Sequence, residues 1–266
     1  MDLSFVVLTW NSERYIKKCL NSVIDALEKS NFIFEIFIVD NGSHDETVSM
    51  INVFQKQYPE NIKPILLDHN TGTTYSRNLA LKKASGQYII VMDSDIEIPK
   101  GSIEGLISVH QNDSSIGLVV PRLIYPSGNL QKSTDCFPTV FTKLKRFFFL
   151  KYIERQEGKE PERGGTRAVE YAISAFWVLK KEAMDNVGLL DENIFYSPED
   201  VDYCLRIWKA GYAVVQNPGV TIVHDAQEIS RGLRINKATF LHIKGLLYFF
   251  IKHKYLIFRP KCCKNL

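Results

Sequence analysis

Apolar runs alternate with helical repeats along the first 100 residues of the chain. Four short apolar runs predict strands, at residues 3–8, 32–39, 64–67 and 88–92. Between them, apolar residues recur three and four positions apart, most clearly at 16–27, which is the spacing of one helical face. Alternating strands and helices predict βαβ units, and therefore a Rossmann-like α/β fold whose mostly parallel sheet is flanked by helices.

The pattern is less regular after residue 100. Apolar runs predict strands at 118–124, 169–179 and 220–223, and a helix is predicted at 199–210. Two segments, 143–152 and 238–258, are both basic and aromatic. The second is too rich in Lys and His to span a membrane. A helix at the membrane interface and a terminal helix packed on the domain explain it equally well.

Composition and charge narrow the class of protein. The 266 residues are 45% hydrophobic and 24% charged, as in ordinary globular proteins, and the net charge of +3 is too small to indicate a nucleic-acid partner. The five cysteines show no metal-ligand spacing, which favours reduced thiols in the cytoplasm. Because the chain runs from Met1 directly into a strand pattern, no cleavable signal is expected.

The most informative chemistry stands at the end of the fourth predicted strand. Asp93 and Asp95 follow the apolar run there, separated by one residue. Ligands bind at the carboxyl ends of strands in open α/β sheets. Two carboxylates at that edge can hold a hard divalent cation, which can bridge a diphosphate. Aspartates with this spacing are also common by chance, and a solvated turn is the alternative.

Polar groups follow the other strands of the first half as well. Asp40 ends the second strand and is followed by Gly42, so it can either accept hydrogen bonds from a base or ribose or cap the local turn. Ser43 and Glu46 have the spacing of a capping box for the next helix. Arg77 can reach a phosphate or ribose, pair with Asp93 or Asp95 at the sheet edge, or do both.

The second half contributes further acidic residues and one histidine. Glu199 or Asp200 could act as a general base, although acids in a first helical turn are also favoured electrostatically. Asp202 and Arg206 form a structural i,i+4 pair. His224 is a candidate third metal ligand, or a satisfied histidine without function. Neither a Walker loop, a Gly-x-Gly-x-x-Gly segment after a strand nor a Gly-x-Ser-x-Gly elbow is present.

The ordered set of these motifs resembles the inverting glycosyltransferases of family 2, which have the GT-A fold, and most of all their bacterial rhamnosyltransferase-like branch. The resemblance runs from about residue 3 to residue 232. It is carried by the following segments, in this order: Val6-Val7-Leu8-Thr9-Trp10-Asn11, Val39-Asp40-Asn41-Gly42-Ser43, Asn70-x-Gly72, Arg77-Asn78, Asp93-Ser94-Asp95, Pro198-Glu199-Asp200-Val201-Asp202 and His224.

This resemblance implies a nucleotide-diphosphate-sugar donor and a divalent cation, Mg²⁺ or Mn²⁺. It makes Asp200 the base, with Glu199 as the second choice, and it implies Asp95, Asp93 and His224 as metal or diphosphate ligands. It implies that Asp40 reads the base and that Arg77 contacts phosphate or ribose. The other donor-binding residues that it implies are Thr9, Asn11, Glu13, Asn41, Gly42, Ser43, Asp93 and Ser94.

From the resemblance we expect a GT-A domain at 1–232, with a nucleotide-binding half at 1–98 and an acceptor half at 99–232, followed by a basic, aromatic C-terminal helical extension at 233–266. The expected enzyme transfers a hexosyl or rhamnosyl group to a glycan or polyprenyl-linked acceptor in surface polysaccharide or glycolipid synthesis. It would be cytoplasmic, with peripheral contact to the inner face of the membrane as one option.

Two other functions are alternatives to this one. A sugar-nucleotide nucleotidyltransferase would show a glycine-rich signature near the first strand, where this chain has Thr9-Trp10-Asn11. A non-catalytic nucleotide-sugar or glycan-binding protein would not need both acidic pairs. The chain departs from the family at one place, where Ser174-Ala175 stands instead of a frequent Gly-Ala. The resemblance therefore does not specify the donor-sugar or acceptor pocket.

Overall fold

The computed structural model describes residues 1–28, 30–142, 165–226 and 237–260. The strands within these residues are β1 (Leu3–Thr9), β2 (Phe34–Asp40), β3 (Ile62–Leu66), β4 (Tyr88–Asp93), β5 (Ile96–Glu97), β6 (Ile116–Ile124), β7 (Leu130–Gln131), β8 (Thr134–Asp135), β9 (Arg167–Ala168), β10 (Tyr171–Ala172), β11 (Phe176–Lys180) and β12 (Ala213–His224). The helices are α1 (Ile16–Leu27), α2 (Thr47–Gln57), α3 (Thr73–Leu81), α4 (Ser102–Asn112), α5 (Lys181–Val187), α6 (Glu199–Lys209) and α7 (Lys237–His253).

A central mixed sheet organises these elements, in the strand order β3-β2-β1-β4-β11-β6-β12-β5. The first four strands are mutually parallel, and β12 is parallel to β6. Strand β11 runs antiparallel to both of its neighbours. The predicted α/β fold with a mostly parallel sheet flanked by helices is confirmed.

Strand register brings the polar strand ends together at one edge of the sheet. Thr9 is paired with Asp40 across β1 and β2, and Leu8 is paired with Asp93 across β1 and β4. Because the three strands are parallel, their carboxyl ends share this edge. Asp40 and Asp93 therefore lie at the same edge of the sheet, on either side of the end of β1.

The sheet is covered on both faces. Phe5 and Val7 of β1 belong to one buried cluster, together with α1 and α2, whereas Val6 belongs to a second cluster with α3 and α6. Successive strand residues point to opposite faces, so a continuous apolar run is what a strand buried on both sides requires. This explains why the first strands read as unbroken hydrophobic runs.

A buried carboxylate stabilises the opposite, amino-terminal edge of the sheet. Glu35 of β2 accepts hydrogen bonds from Ser4 Oγ at 2.6 Å and Lys63 Nζ at 2.6 Å, and also from the backbone and side chain of Ser85. Burial alone would raise the pKa of Glu35, but these donors outweigh it and lower the pKa to about 2.

Two local predictions were wrong, and a third covered only part of a strand. The strand predicted at 169–179 is interrupted at Ile173–Ala175, because Ser174 turns to polar partners described below. The run at 220–223 is the end of the longer β12, which contains a register shift between Asn217 and Thr221. No capping box forms at α2: Asp45 accepts the hydrogen bond of the Thr47 amide.

Helix α7 packs on the domain. Phe249 and Phe250 are buried in the second cluster. Lys252 and His253 donate to the buried Asp202, at 2.6 and 2.8 Å. Among the described residues, no helix combines the length and the apolar character needed to cross a membrane. The segment 143–152 and the predicted domain boundary at 232 lie outside the described residues, and the domain division stays a prediction.

Candidate active site

Two carboxylates and an imidazole meet at the carboxyl edge of the sheet. The potential ligand atoms of Asp93, Asp95 and His224 all lie within 4.8 Å of one another. Asp93 ends β4, and His224 ends β12. Strand β5, which begins directly after Asp95, pairs antiparallel with β12, and Ile96 lies opposite His224. This pairing places the two aspartates next to His224. The structure thus brings together residues that are 131 positions apart in the chain, from Asp93 to His224.

The hydrogen bonds around His224 leave one ring nitrogen for a ligand. Its Nδ1 lies 2.8 Å from Oε1 of the buried Gln131, so Nδ1 carries the proton in the neutral ring. Its Nε2 faces Asp95 Oδ1 at 3.3 Å. Metal-bound histidines are commonly held in this way, by an acceptor on the other ring nitrogen.

The electrostatics of the group suit a cation. Asp95 Oδ1 is buried and has no aligned hydrogen-bond donor among the described residues. Burial and the charge of Asp95 raise the pKa of Asp93. Burial would lower the pKa of His224, but the negatively charged Asp95, whose Oδ1 lies 3.3 Å from Nε2, outweighs it and raises the pKa. Two carboxylate oxygens with one imidazole nitrogen form a donor set that Mn²⁺ and Mg²⁺ accept.

Arg77 of α3 connects the two acidic pairs from inside the protein. Its side chain is only 1% exposed. Nη2 donates to Asp93 Oδ1 at 2.6 Å and to the Ser174 carbonyl at 3.1 Å, and Nη1 donates to Ser174 Oγ at 2.7 Å. Nη1 also lies 3.6 Å from Glu199 Oε1. Both terminal nitrogens of the guanidinium thus bind protein groups, and the pairing with Asp93 is the one that the sequence allowed. The contact of Arg77 with a donor phosphate or ribose stays a prediction.

The second acidic pair begins α6 and contains two different carboxylates. Glu199 is buried, and its Oε1 accepts a hydrogen bond from Ser174 Oγ at 2.9 Å. Burial, together with the neighbouring charge of Asp200, raises the pKa of Glu199 to about 8. Asp200 is half-buried, and its Oδ1 accepts from the Val201 amide at 2.8 Å. Burial thus favours the protonated form of Glu199, and Asp200 is the more accessible carboxylate of the pair.

The loops after β1 and β2 are tied to each other by Asn11, Glu13 and Ser43. Ser43 donates to Asp40 through both its amide, at 2.9 Å, and its hydroxyl, at 2.5 Å. Its hydroxyl also accepts from the Asn11 amide at 2.8 Å, and Glu13 Oε2 accepts from the Glu46 amide at 3.1 Å. Asp40 is buried and holds the turn, as in the local interpretation; its contact with a base stays a prediction.

The remaining predicted donor residues line the same edge. Thr9 is buried, and its Oγ1 has no hydrogen-bond partner among the described residues. Asn41 accepts from the Thr71 amide at 2.8 Å and so joins this edge to the loop before α3. Gly42 has φ +77°, and a Cβ there would lie 2.6 Å from backbone atoms of His69. Ser94 donates to Ser12 Oγ at 2.8 Å.

Two residues of this site were not assigned a role from the sequence. Ser174 connects Arg77 to Glu199, and its only signal was the departure from the frequent Gly-Ala of the family. Gln131 holds His224 from a two-residue strand and gave no signal, because a single Gln in a turn-rich region is unremarkable in composition. The structure brings Asp93, Asp95 and His224 into one group.

Comparisons with known proteins agree with this architecture. The TarS poly(ribitol-phosphate) β-N-acetylglucosaminyltransferase of Staphylococcus aureus is 35% identical over 169 residues, which are 57% of this chain and 28% of TarS. The teichoic acid poly(glycerol phosphate) polymerase of Staphylococcus epidermidis is 31% identical over 119 residues, which are 45% of this chain and 16% of the polymerase. This chain therefore spans less than a third of the length of either relative.

Solved structures show the same fold. A structure of GalNAc-T7 with UDP, GalNAc and Mn²⁺ aligns with a TM-score of 0.72 at 16% identity, covering 94% of this chain and 48% of that one. A structure of TarS residues 1–349 with UDP aligns with a TM-score of 0.58 at 20% identity, covering 84% and 60%. Both have the GT-A fold. The model of the family "Glycosyl transferase family 2" matches residues 4–188, and the chain belongs to this family.

Proposed function

We propose that the protein is a metal-dependent, inverting glycosyltransferase that uses a nucleotide-diphosphate-sugar donor. The observation that supports this most strongly is the Asp93–Asp95–His224 group at the carboxyl edge of the sheet, joined through Arg77 to a second acidic pair. A cation site and a separate base are the two parts that a single displacement at the anomeric carbon requires. A binding protein would need only the first.

The proposed cation is Mn²⁺ or Mg²⁺, held by Asp95, Asp93 and His224. When bound, it neutralises the charge that develops on the leaving diphosphate. Gln131 keeps the proton of His224 on Nδ1, so that Nε2 presents its lone pair. Arg77 holds Asp93 in place and balances part of the negative charge of the aspartates while no ligand is present.

We assign the base to Asp200. In an inverting transfer, the base removes the proton from the acceptor hydroxyl as that oxygen attacks the face of the sugar opposite the diphosphate. Glu199 is buried, its pKa is raised by burial, and Ser174 and Arg77 fix its side chain, so its part is to position the start of α6. Asp200, the second residue of that helix, is the more accessible carboxylate of the pair.

The proposed donor is a uridine-diphosphate sugar carrying a hexosyl or rhamnosyl group. This choice follows the UDP found with GalNAc-T7 and TarS. The proposed acceptor is a glycan or a polyprenyl-linked intermediate of surface polysaccharide or glycolipid synthesis, as the names of the teichoic-acid relatives suggest. We place the enzyme at the cytoplasmic face of the membrane, as a peripheral protein.

A thermal-shift panel tests the donor site. UDP-, dTDP- and GDP-sugars are compared with Mn²⁺ and with a chelator. A ligand at about 100 times its dissociation constant stabilises the fold by ~2.7 kcal/mol. We expect a Mn²⁺-dependent shift with UDP-sugars that is lost in Asp95→Asn and kept in the matched control Asp25→Asn, a surface change on α1.

The Asp200→Asn variant separates transfer from binding. We expect it to keep the shift with the donor and to lose turnover by a factor on the order of 10²–10⁴. Full turnover in Asp200→Asn would overturn the choice of base. A donor shift without turnover in the wild-type protein, across glycan and polyprenyl-linked acceptors, would instead favour a nucleotide-sugar-binding protein.

A further inference from the structure

Helix α7 has two apolar faces, and only one of them is covered by the domain. Phe249 and Phe250 are buried. On the other side Phe240, Ile243, Leu247 and Ile251 are all exposed. Their spacing of three, four and four residues places them in one stripe along the helix. A helix that only packs on its own domain has a polar outer face, so this stripe is an unexplained feature.

The exposed apolar surface continues beyond the helix. Leu256, Ile257 and Phe258 are exposed directly after it, and the Leu256 carbonyl accepts from the Val140 amide at 2.9 Å. That contact brings the exposed Phe141 alongside. We define the α7 surface as Phe141, Phe240, Ile243, Leu247, Ile251, Leu256, Ile257 and Phe258. Large contiguous apolar patches of this kind mark interaction sites.

The charged residues of the segment that carries most of this surface are all basic. Residues 237–260 contain Lys237, Lys244, Lys252, Lys254 and Arg259, and no Asp or Glu. Lys252 is turned inward to Asp191 and Asp202. Lys244 and Lys254 are exposed, the first within the stripe and the second just past the helix end. Aromatic and aliphatic side chains with basic residues beside them are the composition of helices that lie in an anionic membrane interface.

We propose that the α7 surface docks on a lipid bilayer that contains anionic lipids. A second copy of the chain fits the surface less well, because a two-fold contact would bring two basic segments into one interface, and residues 237–260 offer no acidic residue to pair with them. Anionic headgroups instead pair with Lys244 and Lys254, while the stripe enters the boundary between headgroups and acyl chains.

Docking at this surface would set the position of the acidic pair of α6. His242 Nδ1 lies 2.9 Å from Ser197 Oγ, and a Cβ on Gly245 would meet the Ser197 carbonyl at 2.1 Å. Lys252 and His253 bind Asp202 on α6. The segment with Glu199 and Asp200 is thus about one helix diameter, ~10 Å, from the α7 surface. The link between docking and the acidic pair rests on the proposed function, because docking would bring a polyprenyl-linked acceptor to the proposed base, Asp200.

Vesicle sedimentation with the full chain tests the docking. We expect binding to phosphatidylcholine vesicles with 30% phosphatidylglycerol at low salt, weaker binding in 0.5 M salt, and little binding to phosphatidylcholine alone. Leu247→Asp with Ile251→Asp should lower the partition coefficient at least tenfold. Lys244→Gln with Lys254→Gln should lower it roughly 25-fold, at about fivefold for each basic residue.

Val53→Asp is the matched control, because Val53 is an exposed apolar residue in the middle of another helix, 62% exposed compared with 76% for Ile251. It should bind vesicles as the wild type does. Circular dichroism and the Mn²⁺-dependent shift with UDP-sugars verify that all variants are folded. Absent binding of the wild type, or equal binding by Leu247→Asp/Ile251→Asp, would overturn the proposal. So would light scattering that shows a dimer split by Ile251→Asp. A failed donor shift with intact vesicle binding would count against the proposed function alone.

Discussion

The Ser174→Ala variant tests the connection between the two acidic pairs. The hydroxyl accepts from Arg77 Nη1 at 2.7 Å and donates to Glu199 Oε1 at 2.9 Å, and all three residues are buried. The hydrogen bond from the charged Arg77 contributes about 1.5–3 kcal/mol and the bond to the protonated Glu199 about 0.5–1.5 kcal/mol, and a buried donor left unpaired loses the whole contribution. Nη2 keeps its bonds to Asp93 and to the carbonyl of residue 174. We therefore expect the variant to lose about 2–4 kcal/mol of unfolding free energy.

The measurement is urea unfolding followed by circular dichroism, with Ser108→Ala as the control. Ser108 lies on the exposed side of α4, where its hydroxyl donates to the Gly105 carbonyl, so its loss should stay within about 0.5 kcal/mol. Ser174→Ala should also lower turnover, because Glu199 at the start of α6 loses the hydrogen bond from Ser174. A Ser174→Ala protein as stable as Ser108→Ala would show that the hydroxyl does not connect the two pairs.

Three further predictions concern other buried polar groups. Asp202→Asn should lower unfolding free energy by about 3–5 kcal/mol and increase amide exchange along α7; unchanged exchange would refute the attachment. Gln131→Leu should weaken Mn²⁺ binding about 10–100-fold, as measured by electron paramagnetic resonance with UDP present. An unchanged Mn²⁺ affinity would show that the hydrogen bond from His224 to Gln131 does not support metal binding. Glu35 has a lowered pKa, so its stabilisation is present above about pH 4.5 and is lost as pH falls toward 2; Glu35→Gln should remove up to about 3 kcal/mol of this pH dependence in acid unfolding curves.

The first half of the fold followed from the sequence because its signals are local. A strand covered on both faces must be apolar throughout, and helices with one buried face must repeat every three to four residues. Those rules apply to β1, β2, β4 and α1 without knowledge of their neighbours. They also imply that parallel strands end at one edge, where Asp40 and Asp93 are found.

The second half did not follow because long-range contacts decide it. The interruption at Ser174 depends on Arg77, which is 97 residues earlier in the chain, and the two-residue β7 exists only because it pairs with β6. The pairing of Arg77 with Asp93 could not be derived either, because a basic residue near a strand end can reach a ligand, a carboxylate or both, and its sequence position does not show its burial. Tertiary contacts overrode local pattern at each of these positions.

The place of β4 in the sheet has a consequence for synthesis of the protein. Its outer edge is completed by β11, whose last residue, Lys180, comes 87 residues after Asp93. A ribosome adds ~5–20 residues per second, so the apolar edge Ile89–Met92 waits roughly 4–17 s before its partner emerges. Unpaired apolar edges are templates for wrong pairing. We expect the nascent chain to be a holdase client during this interval, and to aggregate when translation is stalled between residues 100 and 170.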